Sequence, residues 1–211
     1  MIAGAKRYLP LLWMLAIPVL NVFYEILNRA GAHVSSLATG LDERTPFLPA
    51  FIIPYLIWYP FIMIMLIVLF MKSRTVYYRT LLALSLGLIG CYLTYYFYQT
   101  TISRPTITEH GLFYSLVNMI YHSDGPYNCF PSIHVLTSYL MLKGVSSCTN
   151  LSRMTRWFVV VMGWSIIVST VFVKQHVWLD MAGAILLAEM MYYAAGTWLL
   201  PRTAVQRRQV E

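Results

Sequence analysis

Near its C-terminal end the chain places Lys174, His176 and Asp180 within seven residues, between two apolar runs. A hydrophobic chain rarely carries ionisable groups at the edges of such runs without a use for them. His176 and Asp180 are four apart, so on a helix they share one face. A carboxylate in that position accepts from one ring nitrogen and holds the other toward a reacting atom. Two other stretches hold complementary groups: Arg104-Pro105 and Pro131-Ser132-Ile133-His134. The chemistry open to the three together is phosphoryl transfer. That reaction needs cations and amide donors around the phosphate oxygens, a nucleophile in line and an acid for the leaving oxygen. Arg104 offers a planar fork for two oxygens, and Lys174 adds a point charge. Ser132, at the start of a helix, offers its hydroxyl and nearby free backbone N–H groups. A neutral imidazole oriented by a carboxylate is a competent nucleophile, which selects His176 with Asp180 as its partner. His134 is left as general acid. Taken singly, each group also has a structural explanation: headgroup anchoring for Arg-Pro, helix capping for Pro-Ser, and a structural pair or half a metal site for His176 and Asp180.

The elements that must position these residues are written in the hydropathy. Of 211 residues, 59% are hydrophobic and only 11% charged, with mean hydropathy +0.63. A soluble domain would carry about a quarter charged residues, so the expectation is one all-α integral membrane domain over residues 1–211. Apolar runs predict six spans: Tyr8–Leu27, Ala50–Met71, Thr80–Tyr98, Ser132–Ser147, Trp157–Val173 and Val177–Leu200. The first resembles a signal-peptide core ahead of Ala30-Gly31-Ala32, but Glu25, Asn28 and Arg29 are poor signal-peptide residues, so it reads as retained. Pro54 and Pro60 should kink the second span or displace its start. Gly31–Pro49 reads as a loop, and Lys72, Arg74 and Arg79 as a short basic turn. Between the third and fourth spans, Gly111–Ile120 is apolar and too short to cross, as a short interfacial helix would be. His122 and Asp124 follow it as candidate substrate contacts. His33 and His110 read as surface residues; Glu25 and Glu189 lie in spans without an assigned role. Cys91, Cys129 and Cys148 have no paired or metal-ligand spacing.

Six spans put both termini on one side, and the basic residues say which. Lys6, Arg7, Lys72, Arg74, Arg79, Lys143, Arg153, Arg156, Arg202, Arg207 and Arg208 fall on the terminal side; Arg29, Arg44, Arg104 and Lys174 fall on the other. That bias predicts cytoplasmic termini in a multi-pass cell-membrane protein. The net charge of +7 then reports orientation and not a nucleic-acid partner. On this topology Arg104, Ser132, His134 and Lys174–Asp180 all emerge at the outer face.

Arg104-Pro105, Pro131-Ser132-x-His134 and Ser169-x6-His176-x3-Asp180 resemble the three signatures of the type 2 phosphatidic acid phosphatase superfamily. The likeness runs from about Phe97 to Asp180. It implies a six-helix bundle, an outward-facing site and no metal or other cofactor. By that resemblance His176 forms a phosphohistidine, Asp180 orients it, His134 protonates the leaving group, and Arg104 and Ser132 hold the phosphate. Three positions depart from the pattern: Phe97 stands where the first signature opens with lysine, Ile133 where the second has glycine, and Thr170 where the third has arginine. Two phosphate-binding cations are therefore missing, with Lys174 as a candidate replacement for one. The expected activity is metal-independent hydrolysis of a lipid phosphomonoester or pyrophosphate in the outer leaflet. A lipid phosphotransferase resembling sphingomyelin or inositol phosphorylceramide synthases is the alternative, and the depleted cation set suits its less charged diester. A third reading, from another class, is a transporter or metal-binding membrane protein using His134, His176 and Asp180 as ligands. The absence of an inverted repeat argues against the transporter form.

Overall fold

The computed structural model describes residues 7–197, and the apolar runs have become helices. A 3₁₀ stretch, Leu9–Leu15, leads into α1 (Ala16–Leu27). After it come β1 (Val34–Ser36), the short α2 (Gly40–Arg44) and α3 (Ile52–Lys72). Next are α4 (Arg74–Phe97), β2 (Gln99–Thr101) and α5 (Leu112–Ser123). The chain closes with α6 (Ile133–Ser147), α7 (Arg153–Phe172) and α8 (Trp178–Thr197). Among the described residues, four segments are long and apolar enough to cross a membrane: Leu9–Leu27, Pro49–Lys72, Arg74–Phe97 and Arg153–Phe172. The fourth and sixth expected spans correspond to α6 and α8. With 15 residues, α6 rises only about 22 Å. The last residues of the sixth expected span, 198–200, lie outside the described residues, as do Lys6, Arg202, Arg207 and Arg208.

Several boundaries differ from the sequence reading for identifiable reasons. The basic turn after α3 shrinks to Ser73, whose hydroxyl accepts from the Val76 amide and starts α4 at once. Arg74 and Arg79 are thus helical. Ser152 does the same for α7, which begins at Arg153 and not at Trp157. Helix α3 continues through Pro60. The expected loop Gly31–Pro49 holds both β1 and α2; β1 pairs in parallel with β2, Val34 opposite Gln99.

Helix α6 is the centre of the bundle, packing on α3, α4, α7 and α8. Nine of its residues are buried, from Ile133 to Val145. A helix apolar on all sides is satisfied only by surrounding neighbours. The core around it includes Leu69, Leu84, Leu136, Met141, Ile166 and Ala188. Helix α1 packs mainly against α4 and leaves Val19, Val22 and Phe23 exposed. Phe130 lies against α8 at Gly183, where an added Cβ would collide with its ring. That close approach seats the start of α6 beside the start of α8.

Candidate active site

Helix α7 ends at Phe172, and the next four residues form a compact turn. The amides of Gln175 and His176 both donate to the Thr170 carbonyl, at 3.0 and 3.1 Å. Lys174 takes a left-handed φ of 52° inside this turn, a conformation uncommon for a residue other than glycine. The turn leaves His176 two residues ahead of α8, so it does not share a helix face with Asp180 as its spacing suggested. Asp180, fully buried, accepts from the Val177 amide at 2.9 Å, which offsets the unpaired donors of a helix start. The same oxygen lies 3.4 Å from His176 Nδ1. His176 Nδ1 and Asp180 Oδ1 have no hydrogen-bond partner among the described residues.

A second carboxylate caps the same helix from far away in the chain. Asp42 of α2 accepts from the Trp178 amide at 2.9 Å, and Thr45 accepts from the Trp178 indole at 2.9 Å. Burial works against the Asp42 carboxylate. Hydrogen bonds from Thr39 and from the Trp178 amide, with the Lys174 charge, outweigh it and hold the carboxyl below its ordinary range. Lys174 Nζ donates to the carbonyls of Asp42 and Thr45, at 2.8 and 2.6 Å. The lysine expected to hold phosphate therefore ties α2 to the turn.

Arg104 is reached through the strand pairing. Thr101 donates its hydroxyl to the Pro126 carbonyl at 2.7 Å, fixing the chain just before the arginine. The guanidinium closes the C-terminal end of α5 by donating to the Tyr121, Asp124 and Gly125 carbonyls, a favourable place for a cation. It also donates to Gln175 Oε1 at 2.5 Å. Arginine has only donors, so Gln175 must present its oxygen and leave its amide nitrogen free. Among the described residues, Gln175 Nε2 and Arg104 Nε are buried without partners, and so is Asn128 Nδ2. The Asn128 orientation follows from Gln99, whose Nε2 donates to its oxygen at 3.0 Å.

Pro131 to His134 arrives from the other side. Ser132 is fully buried, caps α6 by accepting from the Val135 amide, and donates its own N–H to the Asp180 carbonyl at 3.3 Å. It lines neither of the two large cavities described below. His134 stacks on Tyr55 and packs at a tilt against Trp58, with ring centroids 4.5 and 4.0 Å away, and its ring lies 5.9 Å from that of His176.

Two cavities meet at His176. The first, about 410 Å³, holds His134, Tyr24, Tyr55, Trp58, Asn128 and the carboxylates Glu25 and Asp124. The second, about 370 Å³, holds Arg104 and Lys174 with Asp42 and Glu43. Asp124 accepts from Tyr24 and Asn28 at 2.7 and 2.8 Å, which pins its loop to α1. His122 is exposed, bonds the Asn118 carbonyl at 2.7 Å and lines neither cavity. Phe97 is 79% exposed at the end of α4 and also lines neither. Glu189 pairs with Lys143 at 2.9 Å, away from the site. All three cysteines are buried. Burial and the nearby Asp180 hold the Cys129 thiol above its ordinary range, against an opposing pull from Arg104.

The structure thus brings Arg104, His134, His176 and Asp180 around one junction, with Ser132 and Lys174 built into its frame. Sequence reasoning passed over Gln175, Asn128 and Asp42; adjacency to His176 was a signal for the first alone. No known protein family, curated protein or solved structure matches the chain.

Proposed function

We propose that the protein is a six-span membrane enzyme that moves a phosphoryl group from a lipid through a phosphohistidine on His176, as the type 2 phosphatidic acid phosphatases do. Cytoplasmic termini and a site at the outer face follow from the basic-residue bias. The observation that carries the reading is the His176–Asp180 pair, 3.4 Å apart, with a second imidazole 5.9 Å away between centroids. In this reading the Asp180 carboxylate holds Nδ1 and steadies positive charge on the ring while Nε2 attacks phosphorus. His134 gives its proton to the departing oxygen. The unpartnered donors of Arg104, Gln175 and Asn128 lend further support. A buried donor without an acceptor costs about 1–3 kcal/mol, and phosphate oxygens would relieve it. The apolar helices beside the site suit a substrate that stays in the bilayer.

Hydrolysis of a lipid phosphomonoester or pyrophosphate is the leading activity. One observation favours transfer to an alcohol instead: among the described residues, the cavity holding both histidines has two carboxylates and no lysine or arginine. A diester carries less charge than a monoester and fits that balance better. Purified protein in detergent, given a panel of lipid phosphates with and without alcohol acceptors, separates the two. Free phosphate that survives chelation supports the phosphatase; a new phospholipid appearing only with the acceptor supports the transferase. Neither product from any lipid would sink both.

A further inference from the structure

One group beside the junction has no part in the phosphoryl chemistry. Cys129 is 3% exposed. One ligand atom from each of Cys129, His176 and Asp180 lies within 4.8 Å of the others. The cluster is short of partners: His176 Nδ1 and Asp180 Oδ1 have none among the described residues. Among the same residues Cys129 Sγ has only a 3.6 Å contact to the Pro126 carbonyl. We propose that Cys129, His176 and Asp180 form a binding site for a borderline-soft divalent cation of the zinc class, and that the bound ion silences His176.

The donor set selects the ion. Thiolate, imidazole and carboxylate supply sulfur, nitrogen and oxygen, the ligands that zinc combines. Magnesium and calcium require mostly oxygen. Ligands about 2.0–2.3 Å from a tetrahedral ion stand about 3.5 Å apart, so modest side-chain rotations close the cluster. Thiolate and carboxylate together offset the two charges of the ion, which lowers the penalty for burying it. His176 lines both cavities, which gives the ion a route in. Coordination replaces the thiol proton, which passes to solvent, and no electron is transferred. Metal on Nδ1 leaves the ring proton on Nε2, so the nitrogen that would attack phosphorus has no free lone pair. This last step rests on the phosphohistidine reading; the binding site does not.

The probe is cobalt(II), titrated into the purified full-length protein in detergent. A near-ultraviolet thiolate-to-cobalt band should rise to one equivalent and collapse on adding zinc. Cys129→Ser should abolish it, and Asp180→Asn should weaken binding at least ~10-fold, the order seen for perturbed metal shells. Cys91→Ser and Cys148→Ser should retain the band. No band in the unmodified protein, or one that survives Cys129→Ser, overturns the site. Zinc should also inhibit turnover of a lipid phosphate, while Cys129→Ser, scored against its own metal-free rate, resists it. Equal inhibition of both, or activation by zinc, overturns the silencing. A protein that binds cobalt through Cys129 but turns over no lipid phosphate upholds the site and sinks the functional reading instead.

Discussion

The two cavities that meet at His176 are built on opposite principles. On the Arg104 and Lys174 side the cations are largely engaged. Arg104 reaches three carbonyls and Gln175, and Lys174 reaches two carbonyls. On the His134 side the lining is aromatic and acidic, with no lysine or arginine among the described residues. Positive charge on the Arg104 and Lys174 side holds loops together. Among the described residues, buried polar atoms without partners gather at His176, Asp180 and the amide nitrogens of Gln175 and Asn128.

That contrast is broken or sharpened by substitution, starting with the largest effect. Asp180→Asn should lower turnover about 10⁴-fold, the cost of losing the orienting carboxylate in a comparable triad. Turnover within tenfold of normal would mean that Asp180 only caps α8. Arg104→Lys should lower turnover about 100-fold, because an ammonium cannot span the four acceptors that the planar fork reaches. Full activity with lysine would make Arg104 a replaceable charge.

Lys174→Ala should act mainly on stability. Two charge-assisted hydrogen bonds are lost, each worth about 1.5–3 kcal/mol at most, and solvent reaching the lysine brings the total to about 2 kcal/mol. Turnover should stay within about tenfold where the variant is folded. A 100-fold fall in turnover at unchanged melting temperature would return Lys174 to the phosphate. The smallest effect is a pH dependence at Asp42. Its carboxyl titrates below the ordinary value of 3.8 in the folded protein. The stability it adds is therefore present above that value and is lost as pH falls through the folded one. Thermal melts from pH 7 to pH 3 should show Asp42→Asn starting lower and losing less. Parallel melting curves would exclude Asp42 as a cap of α8.

Much of this was written in the chain. Apolar runs located every long helix to within a few residues at most ends, since burial and lipid exposure both require continuous apolar surface. The His176–Asp180 spacing announced that the two side chains would meet, and they lie 3.4 Å apart. They do so across the start of α8 and not on a shared helix face, because His176 precedes the helix by two residues. Position 42 was not legible, because its capping of Trp178 joins residues 136 apart, and no local pattern marks such a pair. The tie that Lys174 makes to the Asp42 and Thr45 carbonyls was hidden for the same reason, since every residue has a carbonyl. The start of α4 was misplaced because charge was read as a turn, whereas a single serine ended one helix and capped the next. Cys129 carried no spacing signal, since its neighbours His176 and Asp180 come from the far end of the chain.

The central claim is that His176 carries the phosphoryl group, and trapping the covalent intermediate tests it most directly. Purified protein would be mixed with a lipid phosphate labelled in its phosphorus and quenched during turnover. The account predicts an acid-labile, base-stable label on His176. His176→Ala should carry none with any substrate. His134→Ala should accumulate the label from an aryl phosphate, whose leaving group needs no proton. Label that persists in His176→Ala and vanishes in His134→Ala would contradict the account by reversing the two histidines.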